Sequence, residues 1–300
     1  MRGSAFMAVS MAGFTANDVL TKAVSAEMNM GQVMLLRGLF ATTLVVAIAW
    51  HQGALRHIGR IRHPMVAARV AGEAFATVCF LIALSHLPVA NVSAVLQALP
   101  LAVTMGAALI FGETVGWRRW LAIAAGFAGV LIIVRPGFEG FSVYSLWALG
   151  CVFFCAIRDL ATRRIPAAIP SLLVSTATAM TVTLTGAVLT GPFGGWTTPS
   201  GTALVMLATA ATLLVVGYQF IIMAMRMGDI SFIAPFRYTA LLWAIGLGYL
   251  VFGDVPDAAM NVGSRIIIAS GLYTLYRERV RGAERPAAQS TAPGMAVDGL

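Results

Sequence analysis

The chain reads as an all-α integral membrane protein, with ten transmembrane helices arranged as two inverted five-helix repeats. Three observations predict this class. Hydrophobic residues make up 59% of the chain and charged residues 11%, whereas a soluble domain carries roughly 25% charged residues. Such a chain cannot cover its own surface with polar groups, so lipid is the solvent for most of it. The apolar residues run continuously over about 20 positions, the length a helix needs to cross the hydrocarbon core, without the alternation of a spanning β-barrel. Finally, a polar pattern near the start returns 141 residues later.

Taken in order, the apolar runs predict helices near 4–22, 31–50, 65–86, 89–111, 118–135, 142–164, 170–190, 201–226, 230–252 and 259–277. The first run lacks a small-residue cleavage site and reads as a retained helix. The links between runs alternate in charge. One set holds Arg2, Arg56, Arg60, Arg62, Arg118, Arg119, Arg163, Arg164, Arg226 and the arginines after Tyr276; the other holds Lys22 and Arg135 with Glu27, Glu139, Asp254 and Asp257. Positive links stay in the cytoplasm. Both termini are therefore expected inside a bacterial-type inner membrane. The net charge of +8 is a topology signal; the dispersed arginines give no nucleic-acid surface. The Pro-, Ala- and Ser-rich stretch 286–300 predicts a disordered cytoplasmic tail.

The repeat is carried by short motifs. "GFTANDVLTKAV" (Gly13 to Val24) places Asp18, Thr21 and Lys22 where "FFCAIRDLATRRI" (Phe153 to Ile165) places Asp159, Thr162 and Arg163. At the same offset, "IFGE" (Ile110 to Glu113) matches "VFGD" (Val251 to Asp254), and Ala83-Leu84 matches Ala224-Met225. Small residues then recur, Gly126 and Gly129 in the fifth helix and Gly263 and Gly271 in the tenth. The units are 1–140 and 141–285. Five helices per unit is odd, so the second enters the membrane upside down. Inverted repeats build secondary transporters, whose sites lie near the midplane where the halves meet.

Ten helices in two such repeats, each with an "FGE" or "FGD" turn before its last helix, resemble the EamA-type family of the drug/metabolite transporter superfamily. The resemblance covers about residues 4–277, and the chain looks somewhat like the aromatic amino-acid exporter branch. It implies a substrate cavity lined by both repeats and transport without ATP. Members of this type include exporters of amino acids and other metabolites and carriers of S-adenosylmethionine. One departure is Ile267-Ile268-Ala269-Ser270 in the tenth helix, where the fifth has a Gly-rich run.

Charges at membrane depth are costly and face the bundle interior or a wet cavity. Using a rise of about 1.5 Å per residue, the candidates form an outer pair, Asp18 with Arg37, and an inner group, Glu73 with Arg158, Asp159 and Arg237. These groups read either as structural salt bridges fixing helix register or as gates and substrate contacts. A carboxylate suits the planar fork of Arg and an ammonium suits Glu73, so an amino acid suits both. Substrate-binding candidates are Glu73, Gln97, Tyr238, Arg237, Arg37, Phe80, Phe153 and Trp243. Gating or ion-pair candidates are Asp18, Asn17, Arg158 and Asp159. Arg69 and Arg265 lie near helix starts, where snorkelling explains them.

Polar stripes at helical spacing, Ser93/Gln97/Pro100/Thr104, Thr209/Thr212/Gln219 and Ser231/Pro235/Tyr238, predict interior faces or interhelical hydrogen bonds. Phe75, Phe80, Phe153, Phe154, Tyr218 and Trp243 are candidate walls for an apolar or aromatic side chain, or simple packing. Cys79, Cys151 and Cys155 lie in apolar runs and read as packing residues; no metal site, cofactor or catalytic constellation is predicted. The expected activity is secondary transport of amino acids, aromatic or apolar, by alternating access, with export the expected direction. S-adenosylmethionine or another metabolite or drug is the alternative, and an intramembrane enzyme using Glu73 or Asp159, or a receptor subunit, lies further off. The expected partners are a small-molecule substrate and the bilayer, with the chain a monomer or weak homodimer. Each buried acid has a basic group within reach, which favours facilitated over proton-driven movement.

Overall fold

A computed structural model describes residues 2–53, 59, 61–137, 141–166, 168–226 and 233–281. The glutamate at 139, Ser231 of the third polar stripe and the tail at 286–300 lie outside them. The described regular structure is helical, with no strand. The elements are α1 (Arg2–Val24), α2 (Met30–His51), α3 (Pro64–His86), α4 (Val89–Leu96), α5 (Leu99–Phe111), α6 (Trp117–Val134), α7 (Tyr144–Arg163), α8 (Ser171–Thr190) and α9 (Gly201–Arg226). A 3₁₀ turn (Ala234–Tyr238), α10 (Thr239–Phe252) and α11 (Ala258–Arg281) complete the chain.

Among the described residues, eight segments are long and apolar enough to cross a membrane, counting α4 and α5 as one span. The two predicted spans outside that set, α1 and α11, are more polar and are held by neighbours, α1 on α9 and α11 on α6. The fourth span breaks at Gln97–Ala98. Pro100 has no N–H to give to the carbonyl four residues earlier, and its own carbonyl accepts from Thr104 Oγ1 at 2.8 Å.

The packing is unchanged when the halves are exchanged. α1 packs on α9 and, correspondingly, α7 packs on α3; α2 packs on its own counterpart α8, and α6 on its counterpart α11. At the α2–α8 crossing, Thr42 Oγ1 lies 2.9 Å from Thr183 Oγ1, a pair 141 residues apart. This crossing needs glycine. A Cβ on Gly186 would lie 2.5 Å from Leu35 N, and one on Gly31 would lie 2.5 Å from Thr190 N. Gly129 and Gly263 bring α6 and α11 together backbone to backbone, so the small residues of the fifth helix are used inside the bundle. Ile267 is fully buried in the largest hydrophobic core, which accounts for the departure in the tenth helix.

Candidate functional site

A cavity of about 40 Å³ lies between α2, α3, α8 and α9, lined by Met34, Arg37, Gly38, Ala41, Glu73, Thr77, Thr178, Ala179, Val182 and Leu214. Its residues come from both halves. The volume has room for a water or two. Two charged side chains face it, Arg37 from α2 and Glu73 from α3.

Their surroundings differ. Glu73 is buried, and its Oε2 accepts from Arg158 Nη1 at 3.0 Å. The same guanidinium holds Asp159, with Nη2 2.7 Å and Nε 2.8 Å from Oδ1. One buried cation thus serves two buried carboxylates from helices of different halves. Breaking such a cluster strands charge in a low-dielectric interior. Arg237 is also buried, in the 3₁₀ turn, close enough to Asp159 and Arg158 to feel their charge. The inner group of the sequence reading is therefore brought together, with Arg158 the direct partner of Glu73.

Arg37 has sparser company. Its Nη1 makes a 3.5 Å contact with Asn17 Oδ1, at the outer limit of a hydrogen bond. Asn17 is fully buried and donates from Nδ2 to Asp18 Oδ1 at 2.9 Å. Among the described residues, no carboxylate lies within 4.0 Å of Arg37. The expected direct pair of Asp18 with Arg37 is thus a relay through the Asn17 amide. Arg37 also lines the cavity.

The other predicted positions lie elsewhere. Gln97 is half-buried at the α4–α5 break. Tyr238 is buried, its hydroxyl set against Gly271. Phe80 is buried in the main core. Phe153 is 61% exposed and Trp243 42% exposed, and the indole Nε1 of Trp243 donates to Ala8 O at 3.2 Å. None of these aromatic rings is among the residues lining the cavity.

Two sequence readings are corrected. Arg69 does not snorkel; it is only 3% exposed, and its Nη1 donates to Thr178 Oγ1 on α8 at 2.7 Å, beside the cavity. Thr209, Thr212 and Gln219 face outward. The two threonine hydroxyls donate to Val205 O and Ala208 O of their own helix at 2.8 Å, so they need no interior partner. Thr212 lines a lateral groove of about 850 Å³ between α2 and α9, whose other walls are apolar apart from Thr43. Thr43 is likewise satisfied on its own helix, at 2.8 Å from Leu39 O. The groove therefore presents apolar surface to the bilayer.

Residues 1–135 match the model of the EamA-like transporter family. Over those residues the chain is similar to this family. Its relatives are transporters of the drug/metabolite transporter superfamily. The S-adenosylmethionine uptake transporter of Rickettsia felis is 24% identical over 284 residues, covering 93% of this chain and 94% of the relative. The riboflavin transporter of Vibrio cholerae is 31% identical over 178 residues, 59% of each chain. The pseudopaline exporter of Pseudomonas aeruginosa is 24% identical over 265 residues, 86% of this chain and 90% of the relative. A solved protein structure shares the fold, with a TM-score of 0.58 at 18% identity over 90% of this chain and 98% of that one. The chain, with eight segments long and apolar enough to cross a membrane among its described residues, is thus similar over its first part to the EamA-like family and over most of its length to transporters of small metabolites.

Proposed function

We propose that this transporter carries small amphiphilic metabolites bearing an amino-acid group, by alternating access through the cavity between its halves. The observation that carries the reading is Arg37, a cavity-facing guanidinium with no described carboxylate within 4.0 Å, set across from Glu73. A solute carboxylate takes the open donors of Arg37 as a charge-assisted, bidentate pair. An ammonium group takes the edge of Glu73 that Arg158 leaves available. Met34, Ala41, Val182 and Leu214 supply an aliphatic wall for an apolar side chain. This lining favours apolar over aromatic amino acids. Net direction follows the solute gradient, outward for a metabolite made inside the cell, and no covalent step is involved. Because Glu73 and Asp159 are both held in direct ion pairs by Arg158, the reading is of facilitated rather than proton-driven movement.

S-adenosylmethionine is the second reading. It too ends in an α-amino carboxylate, and a relative matching nearly the whole chain is named for its uptake.

The test is uptake into proteoliposomes of the purified protein, with labelled amino acids and S-adenosylmethionine, with and without a pH gradient. Saturable uptake of an apolar amino acid, independent of the pH gradient, is the expected result. Movement of S-adenosylmethionine alone would replace the first reading with the second. If nothing moves while the protein stays folded, the amino-acid reading fails.

A further inference from the structure

Each end of the bundle carries the same three-part contact, and the two copies are related by the 141-residue offset. At one end α10 stops on Gly253, with φ of 72°. This left-handed turn suits glycine. The chain leaves through Asp254, whose Oδ2 is 3.9 Å from Nζ of Lys22 on α1. The same ammonium lies 5.1 Å from the centre of the Phe252 ring and donates to Leu87 O, at the end of α3, at 2.5 Å. At the other end α5 stops on Gly112, with φ of 67°. Glu113 Oε1 is 2.7 Å from Nη2 of Arg163 on α7. The Arg163 guanidinium is 5.9 Å from the centre of the Phe111 ring, and that of Arg164 is 4.0 Å from it.

Both contacts join the first helix of one half to the end of the fourth span of the other. Helices alternate in direction along the chain, so the two contacts stand at opposite ends of the bundle. Neither involves a residue of the cavity wall. Any motion that separates the halves at one end must break one contact while the other holds. Both are in place in this structure, and the cavity between them is small.

We propose that the two contacts are alternating latches: Glu113–Arg163 holds one end of the solute pathway closed, and Lys22–Asp254 holds the other. The latches are unequal. Arg offers carboxylate a fixed planar fork where Lys offers a single mobile charge, and the separations, 2.7 Å for Glu113–Arg163 and 3.9 Å for Lys22–Asp254, follow that order. The Glu113–Arg163 end therefore stays shut more of the time. By the charge of the links, this end faces the cytoplasm.

The inference rests on the alternating-access reading above, but its test needs no solute. A reporter cysteine, Ala179→Cys, is placed in the cavity wall. A membrane-impermeant maleimide is applied to right-side-out and inside-out membrane vesicles, with the chain lacking the reporter as the control for the buried Cys79, Cys151 and Cys155. Glu113→Gln is expected to shift the ratio of labelling rates about fivefold toward the Glu113 end, the scale of one partly exposed ion pair. Asp254→Asn shifts the ratio the opposite way by a smaller factor. Exchanging the charges, Glu113→Arg with Arg163→Glu, brings the ratio back toward that of the parent. Lys22→Gln and Arg163→Gln repeat the test from the basic side should an acid variant misfold. Ratios that do not move in folded protein, or that move the same way for both acids, would overturn the latches. Unmoved ratios with uptake intact would end the latches alone. Shifted ratios with no solute transported would end the substrate reading and leave the latches standing.

Discussion

Arg158 and Arg37 stand on either side of the central cavity in different company. Arg158 lies behind Glu73, almost fully buried, and spends its donors on two carboxylates. Arg37 faces the cavity with one long contact to an amide. A buried charge that is saturated by protein groups sets helix positions, because losing it strands its partners. A cavity-facing charge left short of partners contributes little to folding and has donors to give a solute. Both positions hold arginine within a spanning helix, so the local partners are what separate their roles.

Four substitutions break or sharpen this contrast. Arg158→Leu leaves Glu73 and Asp159 as buried acids without their direct cation, and is expected to cost about 3–5 kcal/mol of stability. Thermal unfolding in detergent measures it, and a loss no larger than that of the matching Arg37 variant would dissolve the contrast. Arg37→Gln is expected to lower the kcat/KM of uptake by roughly tenfold to a hundredfold, corresponding to about 1.5–3 kcal/mol for a charged hydrogen bond. Its unfolding temperature should stay near that of the parent. Gly186→Ala forces α8 away from Leu35 of α2 and should cost about 1–3 kcal/mol, as overpacking does. It reduces stability and uptake together, unlike Arg37→Gln. Thr42→Val removes one hydroxyl from the crossing with Thr183. Its cost is about 1 kcal/mol, the net value of one hydrogen bond, read in the same melting experiment.

The sequence shows the helices well because twenty-residue apolar runs have no alternative in lipid. The break in the fourth span follows from Pro100, whose missing N–H is visible in the sequence. The grouping of Glu73, Arg158 and Asp159 was legible from depth along the helices. Depth alone does not tell which atoms meet, so Asn17 as the link between Asp18 and Arg37 was not foreseen. Arg69 was misread because distance from a helix end does not reveal which neighbouring helix covers that face. The outward stripe of Thr209 and Thr212 was misread because a threonine can satisfy itself on its own helix. Lys22, Glu113, Arg163 and Asp254 all stood in the repeated motifs. Their pairing emerges only once α1 is seen against the second half and α7 against the first.

The central claim is that Arg37 receives a solute carboxylate in the cavity between the halves. The most direct test compares, for the parent and for Arg37→Gln, inhibition of uptake by an apolar amino acid and by the amide of that amino acid. These two competitors differ only in the carboxylate. The account predicts that the parent binds the acid at least about tenfold more tightly than the amide, the scale of one charge-assisted hydrogen bond, and that Arg37→Gln binds the two alike. Undiminished preference for the acid in folded Arg37→Gln would contradict it.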